Sequence, residues 1–257
     1  MRQALESEAF SELIRFFREN RKAALGFSGG VDSSFLLYAG RKAGAEIRAY
    51  YVRSIFQPEF EFRDAERMAK ELGAEMKVLT ADILSVPEVA ENPADRCYYC
   101  KTAIFSKIAQ AASEDGYGLL IDGTNASDDA ADRPGMRALR ELSVRSPLRE
   151  CGLSKTEIRQ LSKEAGLFTW DKPAYACLAT RVPAGTALNR GILEKIDGAE
   201  ETLRGMGYRD LRVRFFHGAA RLQLAPDDMR KAGESLGEIR EALEPYFTEV
   251  LLDLKTR

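Results

Sequence analysis

Apolar residues along this chain recur sometimes at every second position and sometimes at helical spacing, and the alternation predicts its elements. Met1–Asn20 mixes apolar and charged residues as an amphipathic helix does, and does not read as a signal peptide. Ala23–Phe27, Glu46–Val52, Glu75–Leu79 and Gly118–Asp122 read as strands, and Val144–Leu148 as a further short one. Ser33–Ala43, Glu59–Leu72, Lys101–Ala112, Met136–Leu142 and Lys155–Ala165 carry helical spacing. Strands alternating with helices predict an α/β fold with a parallel sheet, whose ligands gather at the carboxyl ends of the strands. Thr169–Thr186 breaks the rhythm with Pro173, Pro183 and Gly185, and reads as a functional linker. Beyond it, helices at Gly191–Met206 and Asp227–Leu243 and strands at Leu211–Phe216, Arg221–Leu224 and Thr248–Leu254 predict a smaller α+β domain. The expected division is therefore residues 1–168, a linker at 169–186, and a small domain at 187–257.

The most informative segment is Gly26-Phe-Ser-Gly-Gly-Val-Asp-Ser-Ser34, between the first predicted strand and its helix. A Gly-Gly turn there exposes backbone N–H groups at the positive end of a helix dipole, which suits a phosphate or pyrophosphate. Ser28, Ser33 and Ser34 add hydroxyls beside Gly29 and Gly30. The lysine of the common phosphate loop is missing from the turn, and Asp32 stands there instead. An acidic side chain in a phosphate nest makes chemical sense through a bound Mg²⁺.

The 257 residues suffice for one large domain and a smaller one. No stretch approaches the ~18 consecutive apolar residues of a membrane helix. With 45% hydrophobic and 30% charged residues, a soluble cytoplasmic protein is expected. The net charge of −2 argues against a nucleic-acid partner. The single histidine, His217, excludes a multi-histidine metal site, and beside a glycine turn it reads as structural.

There are four cysteines, and in a reducing compartment clustered thiols point to metal binding or catalysis. Cys97 and Cys100 lie in Arg96-Cys-Tyr-Tyr-Cys-Lys101, expected just ahead of a helix. That spacing serves a redox pair, half a zinc site or an iron–sulfur ligand pair. Cys177 sits in the linker between Lys172 and Arg181, and basic neighbours favour its thiolate. Cys151 has no evident partner. In the small domain Arg212 and Arg214 share one strand face, opposite Leu211, Val213 and Phe215, and so could clamp an anion.

Ser28–Ser34 resembles the loop of the PP-loop ATP pyrophosphatases, which cut ATP between its α and β phosphates. Together with Arg96–Lys101, Asp122–Asn125, Arg133-Pro-Gly135, Ser146-Pro-Leu148 and Trp170–Arg181, in that order, the chain is similar to the LarE family. These are ATP-dependent sulfur transferases of nickel-pincer nucleotide cofactor biosynthesis. The resemblance implies an adenine nucleotide alpha hydrolase-like fold, with ATP held by Ser28, Gly29, Gly30, Asp32, Ser33, Ser34, Gly123 and Thr124. It also implies Mg²⁺ at Asp32, and a pyridinium dicarboxylate mononucleotide bound by Arg181, Arg212 and Arg214. That substrate's carboxylate would be adenylated and then converted to a thiocarboxylate.

The family supplies sulfur in two ways. One sacrifices a linker cysteine, here Cys177. The other uses a [4Fe–4S] cluster on three cysteines, here Cys97, Cys100 and Cys177, recharged from a sulfide source. The complete set of three favours the cluster, and a homo-oligomer is expected. Gln223 stands where several relatives carry an acidic residue, so a second acidic contact is not expected there. Rival readings are a tRNA thiolase, an amidating PP-loop ligase and a non-enzymatic nucleotide or iron–sulfur sensor. The absence of an interleaved basic and aromatic surface argues against the first. An amidating ligase would have no use for the three thiols. A sensor would bind ATP without releasing AMP and pyrophosphate.

Overall fold

A computed structural model describes residues 7–128 and 134–257. Residues 1–6 of the predicted first helix, and Arg133 of Arg133-Pro-Gly135, lie outside the described residues. Helix α1 (Glu8–Glu19) is followed by β1 (Lys22–Gly26), α2 (Val31–Lys42), β2 (Glu46–Arg53), α3 (Glu59–Glu71) and β3 (Met76–Thr80). Next come α4 (Pro87–Ala90), α5 (Arg96–Glu114), β4 (Leu120–Ile121), α6 (Pro134–Glu141), α7 (Pro147–Glu150) and α8 (Lys155–Glu164). The chain ends with α9 (Arg190–Gly205), β5 (Leu211–Phe216), β6 (Ala219–Leu224), α10 (Asp228–Glu234), α11 (Leu236–Leu243) and β7 (Val250–Leu252). Among the described residues no helix is long and apolar enough to cross a membrane.

The chain forms two compact units. One takes residues up to Ser54 with Glu59–Ile83 and Asp95–Ala174; the other takes Ile55–Pro58, Leu84–Ala94 and Tyr175–Arg257. In the first unit a parallel sheet runs in the order β3-β2-β1-β4. Side chains alternate across it, as strand geometry requires. Ala23, Leu25, Ile47, Ala49 and Tyr51 pack on one face with α1, α2 and α8, while Ala24, Tyr50 and Val52 pack on the other with α5 and α6. From β1 the chain proceeds to β2 and β3 on one side, yet β4 joins β1 on the other. The order reverses between β1 and β4, and a crevice opens at such a point beyond the strand ends. The α/β PP-loop fold expected from the sequence is the fold observed.

Three local expectations need correction. Val144–Leu148 is not a strand: a single bridge joins Arg145 to Ile121, and Pro147 then starts α7. Proline is favoured at a helix start, where its missing N–H costs nothing. Asp227–Leu243 is two helices broken at Ser235, with Gly233 and Gly237 flanking the break. Cys97 and Cys100 lie inside α5, which begins one residue before Cys97.

The predicted linker has two characters. Arg159 donates to the carbonyls of Trp170 and Lys172 at 2.7 Å each, and Lys172 pairs with Asp64 at 2.7 Å and Glu61 at 3.5 Å. These bonds hold Trp170–Lys172 within the first unit. In the second unit, Leu178–Arg181 forms a 3₁₀ turn. Nearby, buried Asn92 donates to the carbonyls of Pro183 and Thr186 at 2.8 and 3.1 Å.

The second unit's sheet runs β5-β6-β7, with β5 and β6 antiparallel and β6 and β7 parallel. His217 and Gly218 turn the β5–β6 hairpin at φ 50° and 92°. Positive φ at both positions is what a two-residue hairpin loop of this hand demands. His217 thus has a backbone role.

Candidate active site

Between β1 and α2, Phe27–Gly30 forms a loop that closes upon itself. Ser28 Oγ lies 3.1 Å from Ser33 Oγ, and Ser33 also accepts the Ser28 N–H at 3.3 Å and donates to the Gly30 carbonyl at 3.3 Å. No side chain caps α2 at its N-cap residue, Gly30. Among the described residues the N-cap therefore supplies no side-chain acceptor to the N–H groups of the first turn, the arrangement an anion completes.

Glycine is required at two points here. Gly29 has φ 69°, and a Cβ on it would lie 2.8 Å from Ala65 of α3. A Cβ on Gly123 would stand 3.0 Å from the Ser33 nitrogen, so the turn after β4 presses directly on the loop. Ser34 departs from its expected role. It is fully buried, its hydroxyl has no hydrogen-bond partner among the described residues, and it does not line the cavity beside the loop.

That cavity measures about 270 Å³ and is lined by Gly26, Ser28, Asp32, Ser33, Gly123 and Thr124, and by Lys101, Phe105, Asp122 and Asp128. Asp122 is buried and accepts from Ser146 Oγ at 2.6 Å and Thr124 Oγ1 at 2.5 Å, which fixes the turn after β4. Lys101 Nζ is 3.9 Å from Asp122 Oδ2. Lys155 Nζ donates to Asp32 Oδ2 at 2.6 Å, so a cation does reach the loop, from a helix 123 residues away in sequence. Among the described residues, Asp32 Oδ1 is buried without a hydrogen-bond partner. Burial pushes the Asp32 carboxyl above its ordinary value, with Asp128 adding to the rise and Lys155 opposing it.

The missed lysine had a sequence signal. Ser154-Lys-Thr-Glu157 is a capping box: Glu157 N–H donates to Ser154 Oγ at 3.3 Å, and Ser154 N–H donates to Glu157 Oε2 at 2.9 Å. It fixes where α8 starts, and so sets Lys155 in the first turn.

In the second unit one predicted arginine, Arg181, binds a buried acid, Glu200, together with Arg204. Glu200 is inaccessible and accepts from Arg181 Nε at 2.8 Å and Nη2 at 3.2 Å, Arg204 Nη2 at 2.9 Å, Tyr175 OH at 2.5 Å and Val213 N–H at 3.0 Å. Arg181, Arg212 and Arg204 lie 4.5, 4.8 and 5.3 Å from the centre of the Tyr175 ring. The Arg181 side chain is inaccessible and saturated by this network, so it positions its neighbours rather than reaching a ligand.

Arg212 is buried too, and desolvation with Arg181 close by pulls its guanidinium down to about 10. Desolvation, Arg181 and Arg221 also lower Arg214, which donates to the Thr180 carbonyl at 3.0 Å and to Gln223. Gln223 in turn donates to Asp253 at 3.0 Å.

The cysteines divide between the units. Cys97 is exposed and Cys100 buried, both at the start of α5, with Arg96 Nη2 3.9 Å from Cys97 Sγ. Cys177 is half-buried at the N-cap of the 3₁₀ turn in the second unit. Among the described residues, no group of three or more His, Cys, Asp or Glu side chains is assembled to hold a metal ion. Burial and Glu150 push the Cys151 thiol up to about 11, which keeps it protonated at neutral pH.

No family model matches the chain. It is 35% identical over 256 residues to an uncharacterized protein of Synechocystis, covering 98% of this chain and 95% of that one. It is 29% identical over 238 residues to an uncharacterized protein of Methanocaldococcus jannaschii, covering 92% and 91%. Against the pyridinium-3,5-bisthiocarboxylic acid mononucleotide synthase of Lactiplantibacillus plantarum it is 33% identical over 217 residues, covering 82% of this chain and 78% of that enzyme. The chain belongs to this LarE synthase family. It is accordingly an enzyme, and the match takes in residues of both units.

Proposed function

We propose that this enzyme uses ATP to convert a carboxylate of a pyridinium dicarboxylate mononucleotide into a thiocarboxylate. The observation that carries the ATP half is the lysine-free Ser28–Ser34 loop, with an uncapped helix start and an unbonded buried oxygen on Asp32 beside one cavity. The relative's name, a synthase of a bisthiocarboxylic acid mononucleotide, supports the substrate class. The substrate carboxylate attacks the α-phosphorus of ATP, the bond to the β-phosphate oxygen breaks, and pyrophosphate leaves. Sulfide then attacks the acyl-adenylate carbonyl and AMP departs.

The N–H groups at the start of α2 and the hydroxyls of Ser28 and Ser33 receive the pyrophosphate, and Lys101 and Lys155 add positive charge. Asp32 fits a Mg²⁺ ligand because its Oδ1 is buried with no hydrogen-bond partner. A divalent cation bound there supplies charge for the leaving phosphates. Arg212 and Arg214 hold the substrate's phosphate, with Arg181 and Glu200 fixing them in place. From the family resemblance we carry forward a [4Fe–4S] cluster with Cys97, Cys100 and Cys177 as its ligands, thiolate sulfur being the donor such a cluster takes. Such a cluster, recharged from a sulfide source, supplies the transferred sulfur. We further expect the enzyme to be cytoplasmic and to work as a homo-oligomer.

Enzyme prepared without oxygen and given ATP, Mg²⁺, sulfide and the mononucleotide should release AMP and pyrophosphate and turn over more than once. Asp32→Ala should abolish product. ADP with orthophosphate as the main products would refute the ATP reading. A colourless protein that loses sulfur at Cys177 after one turnover, with Cys97→Ala still active, would refute the cluster.

A further inference from the structure

The two oxygens of Asp32 have different surroundings. Oδ2 holds Lys155 at 2.6 Å, whereas Oδ1 is buried with no hydrogen-bond partner. The lysine side chain is 31% exposed, stands in the first turn of α8, and can swing about its four-carbon stem without disturbing the core. A carboxylate already bearing an ammonium group is a poor ligand for a free divalent cation, since the two cations repel across it. A polyphosphate placed against the loop would offer the same ammonium group a second, more highly charged partner.

We propose that Lys155 and a divalent cation compete for Asp32, and that nucleotide resolves the competition by drawing Lys155 onto its phosphates. Lys155 is then a positioning residue that couples the two ligands. It keeps the metal affinity of the bare loop low and raises it when nucleotide is present, and linkage requires the converse effect of metal on nucleotide. The inference rests on the ATP reading above.

The test compares wild type with Lys155→Met by two measurements that need no turnover. One titrates Mn²⁺ alone, followed by its paramagnetic resonance; the other titrates the Mn²⁺ complex of α,β-methylene-ATP by calorimetry. Loss of one charge-assisted contact sets the scale at about tenfold in each. Lys155→Met should bind Mn²⁺ alone about tenfold more tightly and the Mn²⁺–nucleotide complex about tenfold more weakly. Lys155→Arg, which keeps the charge, should stay near wild type in both, and Lys155→Gln should repeat the methionine result should the latter fold poorly.

Opposite signs are the signature, because general damage to α8 would weaken both. Mn²⁺ binding that is unchanged or weaker in the methionine and glutamine variants overturns the competition and leaves the ATP reading standing. Tighter Mn²⁺ with unchanged nucleotide affinity overturns the transfer to phosphate. Failure of wild type to bind the Mn²⁺–nucleotide complex at all overturns the ATP reading itself.

Discussion

Glu200 is the point at which the second unit is most exposed to a single change, and Glu200→Gln tests that. Its carboxylate accepts five hydrogen bonds, three of them from the guanidinium groups of Arg181 and Arg204, at a site with no solvent access. Glutamine keeps the shape and one acceptor oxygen, but it turns an amide N–H₂ toward groups that themselves donate. It also removes the charge that balances two buried or half-buried arginines. A buried ion pair contributes little when compared with an apolar pair of the same volume, yet breaking one side of it costs about 3–5 kcal/mol. That is a roughly 150- to 5000-fold rise in the opening equilibrium, out of a typical total stability of about 5–15 kcal/mol.

The assay is native-state hydrogen exchange. The Val213 amide of β5 donates directly to Glu200 Oε1 and reports on the site, while Tyr50 and Tyr51 of β2 report on the first unit. Protection at Val213 should fall by the stated factor, and protection in β2 should fall much less. Less than about 0.5 kcal/mol of change at Val213 in Glu200→Gln would show that this network does not hold β5, and would refute the reasoning.

Two further outcomes follow from the same structure. Arg212→Ala or Arg214→Ala should weaken binding of the pyridinium mononucleotide roughly tenfold to a hundredfold, the worth of one charge-assisted bond, and leave ATP affinity nearly unchanged; equal losses for both ligands in calorimetry would assign these arginines elsewhere. Asp115, at the C-terminal end of α5, is held down to about 2 by Lys77, Tyr50 and Arg48. A lowered carboxyl contributes stability that is present above its unfolded value of about 3.9 and lost as pH falls toward 2, so Asp115→Asn should flatten the wild-type decline in urea stability between about pH 5 and pH 2.

Much of this arrangement was legible in the sequence where a rule acts locally. The phosphate loop could be read because a strand, two glycines and a helix start are consecutive, and the parallel sheet because its strands alternate with helices. The failures occur where tertiary partners decide. Val144–Leu148 has the composition of a strand, but Pro147 and the bond from Ser146 N–H to Glu150 commit the chain to a helical turn. Arg181 is picked out by the family resemblance, and Arg212 by residue type and strand face. Neither criterion discloses that Glu200 of α9, with the Ala176 carbonyl and Thr180 Oγ1, takes up the guanidinium of Arg181.

The same limit explains the lysine. Absence of a lysine between Gly26 and Ser34 is a statement about sequence, whereas the electrostatics of the loop depend on what α8 brings to it. Ser154 and Glu157 fix the start of that helix, and Ser127 Oγ accepts the Lys155 N–H at 2.9 Å, tying the helix to the segment after β4. Asp32 therefore receives its cation through two anchored loops rather than from its own turn. A lysine inside a phosphate loop follows the loop backbone; one delivered from a separate helix can be adjusted independently of it. Under the proposed function, the substitutions that tune metal and nucleotide binding are therefore to be sought around Ser127 and Ser154 as well as in the glycine turn.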